Sequence, residues 1–574
     1  MLAALWAASL LPLVSVGSSN GRLVEAFATD EAMQLNLLRA ADANHTFALT
    51  FGPYGHLVFN VVLGVLRVLP GDVSDARIVH TGRIVSVLFA GATLWLTFIW
   101  TQRMFGGTAA WIAFALLCVN ATVYEWAVVL KPDMAQLFFL MLALALTCRL
   151  ADQPRLRWLL LASSAAGLAF ACKYSGLFVL PIIGAVCAWR PLAPHHSDAR
   201  VAALRGLTAA KALALFVASL FLDAAWIASH LTEDGHIDAA VSPHALTVFS
   251  TAARGGALVV ALVAATPWAW SALRRRPRLV AVLSSWTVAA LAFAVSFVVA
   301  SPYSLRRAAF VKGLFVEASD AVAPLTAEWV STWLLGIVAA VGWPTLVAAV
   351  TTVAGLLWLA ARHRARPGAA ESIVVAWSVL YTVVLSAPVH EFYVHYALPL
   401  APPAAMLAGR GAAAASEWIT NVFGRRFAAA FLTAGALLTT VPPGVSLLAT
   451  RARLSNRERS STAVFVGRWL ECRAPVSARV AYDYFSYVPP VFQNVSPTWG
   501  GTRDWLSRFD PDIVIVNSVT AASVMGEPRH REYYRCIAEG SCGYAAVLSS
   551  GEFTLYARSD QADALRTRSC REQR

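Results

Sequence analysis

The sequence predicts a polytopic α-helical membrane protein with a small C-terminal α/β domain, and three observations predict it. The 574-residue chain is 58% hydrophobic and only 14% charged, with a mean hydropathy of +0.59, whereas soluble domains run near a quarter charged. About thirteen apolar stretches recur, at 1–16, 78–102, 108–124, 134–150, 157–172, 175–190, 207–231, 248–271, 279–301, 333–361, 372–388, 395–410 and 426–450. Most are long enough to cross about 30 Å of hydrocarbon as a helix. Composition turns polar and mixed after the Arg451–Arg459 segment, so residues 1–455 read as the membrane domain and 456–574 as a soluble one.

Sidedness follows from the loops, because cytoplasmic loops retain Arg and Lys. One alternate set is basic, around Arg103, Arg155, Arg190, Arg205, Arg275, Arg364, Arg410 and Arg425. The opposite set holds Asp30–Glu31, Lys131–Asp133, Thr232–Phe249, Ser301–Trp333 and Pro388–His395, and is expected to face outward together with the C-terminal domain. The net charge of +13 and the pI of 9.6 therefore report topology. A nucleic-acid surface would need clustered bases interleaved with aromatics, which the chain lacks.

The first apolar segment has no positive stretch before it, which predicts a retained helix rather than a cleaved signal peptide. Of the eight cysteines, Cys118, Cys148, Cys172 and Cys187 fall in or beside apolar spans and read as small core residues. Cys536 and Cys542 lie in the outward tail, where a disulfide is plausible in an oxidising compartment. No cysteine and histidine spacing suggests zinc. In the tail, Ala463–Cys472 has helical periodicity, while Arg479–Tyr482, Ile513–Asn517 and Phe553–Ala557 are β-rich runs. The aromatic run Tyr482–Pro490 is expected to pack on the membrane domain or to touch an acceptor.

Chemistry is expected in the outward loops. Asp30 and Glu31 are adjacent carboxylates at the head of a long first loop, 17–77, whose interleaved apolar and aromatic residues suggest interfacial helices. A terse second loop brings Glu125, Lys131 and Asp133 to membrane depth, where ionisable groups are costly and tend to pair or to serve a site. Lys173 lies between two closely spaced apolar segments and suits a phosphate. Arg306 and Arg307 lie on the side that usually lacks positive charge, which hints at an anionic ligand. A short turn carries His390, Tyr393 and His395.

These motifs fall in a known order. The Asp-Glu pair is followed by Tyr54-Gly55-His56, R-I-V-S-V-L-F-A-G from Arg83, F-G-G at Phe105, K-P-D at Lys131, G-L-A-F-A-C-K-Y-S-G from Gly167 and H-Y-A-L-P-L-A-P from His395. Nearly the whole chain thus resembles the GT-C membrane glycosyltransferases, in the bacterial branch related to protein O-mannosyltransferases and the lipid A aminoarabinose transferase. The resemblance implies a GT-C-type fold and transfer of a sugar, with inversion, from a polyprenyl-phosphate carrier to a lipid, glycan or protein acceptor. It places the site on the outer side of a bacterial inner membrane. It implies that Asp30 is the catalytic base with Glu31 in support, which of the two takes the proton being left open. Asp133 would orient donor or acceptor hydroxyls. Lys131, Tyr54, His56, His390 and Tyr393 are candidates for donor or acceptor binding, and Lys173, Arg306 and Arg307 for the phosphate.

No cofactor is required on charge grounds, since Lys and Arg can neutralise a lipid monophosphate. Some members of the wider superfamily use a divalent ion, so metal dependence stays open. The partners are the donor, the acceptor and membrane lipids, with a monomer as the default. Blander readings stand beside these. Asp30 and Glu31 suit a helix N-terminus, Lys173 suits a snorkelling position, and terminal Tyr and Trp suit an interfacial belt. A transporter or flippase, or a non-catalytic lipid binder, would share this composition, but no internal duplication of the transporter kind is visible.

Overall fold

The computed structural model describes residues 1–49, 54–192, 197–221, 243–305, 326–362, 368–385, 393–498 and 500–570. Among them, five helices are long and apolar enough to cross a membrane: Asp75–Phe105, Asp133–Asp152, Pro277–Ala300, Trp343–Ala361 and Arg425–Ser455. The pair Gly107–Cys118 and Ala121–Ala127, bent by 62°, is a broken span or a re-entrant loop, and makes a sixth crossing only in the first case. Other expected spans are shorter apolar helices, such as Leu2–Val14, Leu156–Cys172 and Trp329–Val341. Five expected spans need correcting. The 108–124 stretch bends where Asn120 caps a new helix, and the 175–190 stretch opens as a 3-10 turn, Tyr174–Val179, before the helix Leu180–Trp189. The 333–361 stretch breaks at Gly342, whose φ of +86° belongs to the left-handed region that glycine tolerates. The 248–271 stretch breaks at Thr266, because Pro267 starts a new helix. The 395–410 stretch opens as a 3-10 turn, Val394–Leu400, and only then becomes the helix Ala401–Phe423, whose first turn holds Pro402 and Pro403.

The first loop is helical. After α1 (Leu2–Val14) come α2 (Gly21–Phe27), α3 (Thr29–Ala43) and α4 (Leu57–Val68), then the long α5 (Asp75–Phe105). Asn20 caps α2 by accepting from the Leu23 amide at 2.9 Å. The three loop helices bury Val24, Leu35, Leu38, Phe59 and Leu63 against Ile78 and Val79 of α5, forming a cap with its own apolar core. Within α5, Thr93, Thr97 and Thr101 return their hydroxyls to carbonyls one turn back, which satisfies them without water. α6 (Gly107–Cys118) and α7 (Ala121–Ala127) lead to α8 (Asp133–Asp152), which packs along α9 (Leu156–Cys172).

Beyond the helix Thr462–Arg473 lies a five-stranded sheet in the order β2-β1-β3-β5-β4. Its strands are β1 (Val480–Asp483), β2 (Val495–Thr498), β3 (Ile513–Asn517), β4 (Tyr544–Ser550) and β5 (Phe553–Arg558). β1 pairs in parallel with β2 and β3, with Val480 opposite Ile513, and β5 runs antiparallel between β3 and β4. β1 and most of β3 are buried on both faces and so read as continuous apolar runs.

Two disulfides hold this segment, Cys536–Cys542 and Cys472–Cys570, with sequence separations of 6 and 98. Chain-entropy arguments make the long closure worth about 4–5 kcal/mol and the short one roughly half that. Cys472→Ser with Cys570→Ser is therefore expected to lower the unfolding midpoint of this segment well below that of the Cys536→Ser, Cys542→Ser variant, as read by protease resistance of the full chain on heating.

At the end of β1, Asp483 is 1% exposed and accepts from the Asn517 amide at 3.0 Å and the Tyr534 hydroxyl at 2.9 Å. Burial without a counter-charge pushes its carboxyl up to about 7, against an ordinary value of 3.8. The fold therefore binds this proton more tightly than the unfolded chain does. The resulting stabilisation is complete below pH 4 and lost as pH rises through about 7, a swing of about 4 kcal/mol. Asp483→Asn is expected to flatten the pH dependence of amide-exchange protection in β1 and β3 over that window, once intrinsic exchange rates are corrected for.

Candidate functional site

The acidic pair occupies the first turn of α3, and successive helical residues point about 100° apart. The two carboxylates consequently have different fates. Glu31 turns inward and is 1% exposed. Arg83 of α5 grips it with two bonds, Nε to Oε1 at 2.8 Å and Nη2 to Oε2 at 2.7 Å. Glu31 Oε1 also accepts from the Leu130 amide at 2.7 Å, while Arg83 Nη1 donates to the carbonyls of Val14 at 2.8 Å and Val16 at 2.6 Å. One buried ion pair thus fastens the end of α1, α3, α5 and the loop that carries Lys131. The Ser86 hydroxyl donates to the Val129 carbonyl at 2.7 Å and secures the same loop.

Asp30 turns the other way, its side chain half exposed, and pairs with the Nζ of Lys131, which is itself buried. The pair borders a cavity of about 840 Å³. Its walls come from α2 and α3 (Glu25, Phe27, Asp30, Glu31), α7 (Glu125, Trp126), Lys131 in the loop that follows, Tyr393 and His395, Arg457, and the C-terminal segment (Tyr484, Phe485, Pro497). Lys131 Nζ lies 4.8 Å from the centroid of the Trp126 ring, and that ring lies 4.1 Å from His395.

A second ion pair lies near this wall. Asp133, the first residue of α8, accepts from Lys173 Nζ at 3.2 Å, and both are buried. Lys173 is held between the rings of Tyr54, at 5.3 Å, and Tyr396, at 4.8 Å, and Tyr396 in turn lies 4.7 Å from His395. Lys173 therefore sits beneath the surface rather than on it, neutralised by a carboxylate and faced by two aromatic rings. Gly55 explains how Tyr54 comes so near: its backbone rests on Ala171, and a Cβ would overlap the Ala171 carbonyl. His56 is buried beside it and its amide donates to Ser301 Oγ at 3.2 Å.

Asp30, Glu31, Lys131 and Tyr393 thus line one cavity, Asp133, Lys173 and Tyr54 form the second cluster, and His395 and Tyr396 join the two. Arg306, Arg307 and His390 lie outside the described residues. Sequence reasoning passed over Arg83, although a charge inside an apolar span is itself a signal. It also passed over Trp126, Tyr396 and Arg457. Arg457 lines the cavity, stands 4.5 Å from the Phe27 centroid and donates to the Phe27 carbonyl.

The C-terminal segment that carries the sheet meets the loop helices at the cavity rim. Tyr482 donates to Glu25 Oε2 at 3.0 Å, and Arg22 Nη1 donates to the Pro489 carbonyl at 2.8 Å. Burial raises the Glu25 carboxyl, with the Tyr482 hydroxyl and the Arg22 charge opposing that rise.

Residues 79–221 match the family model of dolichyl-phosphate-mannose-protein mannosyltransferases. That stretch includes Arg83, Lys131, Asp133 and Lys173. Among solved structures, ArnT from Cupriavidus metallidurans bound to undecaprenyl phosphate is 14% identical, with 97% of each chain covered and a TM-score of 0.45. The oligosaccharyltransferase AglB from Archaeoglobus fulgidus, in complex with an inhibitory peptide and a dolichol-phosphate, is 12% identical, covering 96% of this chain and 74% of that one at a TM-score of 0.45. No curated protein matches the chain in sequence. The family match covers residues 79–221, and it is this stretch, with Arg83, Lys131, Asp133 and Lys173, that is similar to the dolichyl-phosphate-mannose-protein mannosyltransferases.

Proposed function

We propose that the protein moves a sugar, with inversion, from a polyprenyl-phosphate carrier to a lipid, glycan or protein acceptor on the outer side of a bacterial inner membrane. The observation that carries this reading is Asp30, half exposed on a charged and aromatic cavity and held in place by the buried Lys131. An acceptor hydroxyl attacks the anomeric carbon, Asp30 takes its proton, and the bond from that carbon to the phosphate oxygen breaks with its electrons leaving on the lipid phosphate. Lys131 holds the Asp30 carboxylate in place to receive that proton. Glu31 acts through the fold, by placing the loop that bears Lys131.

Asp133, Tyr54, His56, His390 and Tyr393 are proposed to frame the sugar or the acceptor hydroxyls. Arg306 and Arg307, with Lys173 from beneath, are proposed to receive the departing phosphate, and Arg457 joins them from the cavity wall. Two disulfides in the segment that walls the cavity support an oxidising, extracytoplasmic placement. They also support treating 456–574 as a domain distinct from the membrane domain 1–455. The matched family's polyprenyl-linked mannose donor supports the carrier class.

The test is release or transfer of labelled sugar from short-chain polyprenyl-phosphate sugars by the purified chain, with and without a chelator. Turnover supports the reading, and the chelator arm decides whether a divalent ion takes part. Donor that binds but stays intact in both arms would favour a transporter or binder instead.

A further inference from the structure

The C-terminal segment places the loop bearing Tyr484 and Phe485 in the wall of the cavity that holds Asp30. β1 sits between β2 and β3, all three parallel, so the chain leaves β1 for one side and later returns on the other. Ligands of open parallel sheets bind at such a reversal, outside the carboxyl ends of the strands. Here those ends carry Asp483 as the last residue of β1, Tyr484 and Phe485 after it, and Asn517 in β3, and Tyr484 and Phe485 line the cavity that holds Asp30.

Phe485 adopts a φ of +66°, a left-handed conformation that is strained for an aromatic residue and costs on the order of 1–3 kcal/mol. The surroundings enforce it. The Tyr484 carbonyl accepts from Asn517 Nδ2 at 3.3 Å and Thr520 Oγ1 at 3.2 Å, and the Tyr484 amide donates to the Thr498 carbonyl at 3.2 Å. Asp483 ties the base of the loop to Asn517 and Tyr534.

We propose that Phe485 is the platform of an acceptor subsite for a saccharide ring, which the soluble segment presents to Asp30; calling the saccharide the acceptor rests on the transfer reading above. An aromatic face is electron-rich and attracts the C–H face of a pyranose. The carboxylates of Glu25 and Glu125 on the same cavity accept from sugar hydroxyls. A peptide acceptor is less well served, because the sheet edge at the cavity is β2, a four-residue strand whose Pro497 has no amide hydrogen to offer an added strand.

The test uses the full chain in lipid nanodiscs and two independent readouts. Saturation-transfer NMR measures binding of methyl glycosides of glucose, mannose, galactose and N-acetylglucosamine, and of a Ser/Thr-containing peptide, while hydrolysis of a short-chain polyprenyl-phosphate sugar reports the donor site. Phe485→Ala and Phe485→Gly are expected to weaken glycoside binding at least tenfold and Phe485→Trp to retain it, while donor hydrolysis in the same samples reports that the donor site is still formed. The glycine variant relieves the backbone strain, so its failure to bind assigns the effect to the ring. Glycoside binding that is absent from the wild type, equal in Phe485→Ala, or replaced by peptide binding overturns the subsite while leaving the transfer reading intact. Glycoside binding through Phe485 without any donor hydrolysis upholds the subsite and removes the transfer reading.

Discussion

Arg83→Met is expected to cost about 3–5 kcal/mol and to leave little folded protein, because it strands the buried Glu31 carboxylate without its partner. Three further fastenings go with it: the two carbonyl bonds to the end of α1, and the firm placement of Glu31 on the Leu130 amide. The double variant Arg83→Met, Glu31→Gln is expected to recover part of that loss, since no uncompensated charge remains buried. It should still turn over slowly, because the loop bearing Lys131 loses its anchor. Yield of monodisperse protein and its thermal midpoint read the first effect, and kcat reads the second. A double variant as unstable as Arg83→Met alone would place the cost in the carbonyl bonds rather than in the stranded charge.

Asp30→Asn is expected to lower kcat by roughly 10²–10⁴-fold while leaving the fold and donor affinity near those of the wild type. The side chain is half exposed and its one ion pair is to Lys131, so the substitution removes little packing. An amide is isosteric with the carboxylate but cannot accept the proton of an attacking hydroxyl. Loss of activity together with loss of the thermal transition would point to a structural role instead. Glu31→Gln separates the neighbours, because its effect should fall on stability first and on turnover only through the Lys131 loop.

The legible features were those that sequence periodicity and ordinary chemistry encode. The long apolar helices and the pairing of Cys536 with Cys542 follow from composition and spacing. Helix boundaries at Gly342 and Pro267 were less visible, because an apolar run does not announce where it turns. Strands β2 and β4 escaped because each is a sheet edge: β2 contains Pro497, and β4 alternates weakly with serines at its end. Within the site, Asp30 and Glu31 looked equivalent as neighbours in sequence. Their separation into a cavity carboxylate and a buried tether depends on which face of α3 meets Arg83, a fact of packing. The burial of Lys173 between Tyr54 and Tyr396 likewise depends on Gly55 resting on Ala171, a contact between residues far apart in the chain. The Cys472–Cys570 bridge is long-range, and spacing does not choose such partners.

A proton NMR time course of the purified chain with a polyprenyl-phosphate sugar of known anomeric configuration bears most directly on the central claim. Donor signals are expected to decay while a product of the opposite anomeric configuration appears, as a single displacement assisted by the Asp30 carboxylate requires. A product of retained configuration, or a donor that persists unchanged beside folded protein, would contradict it.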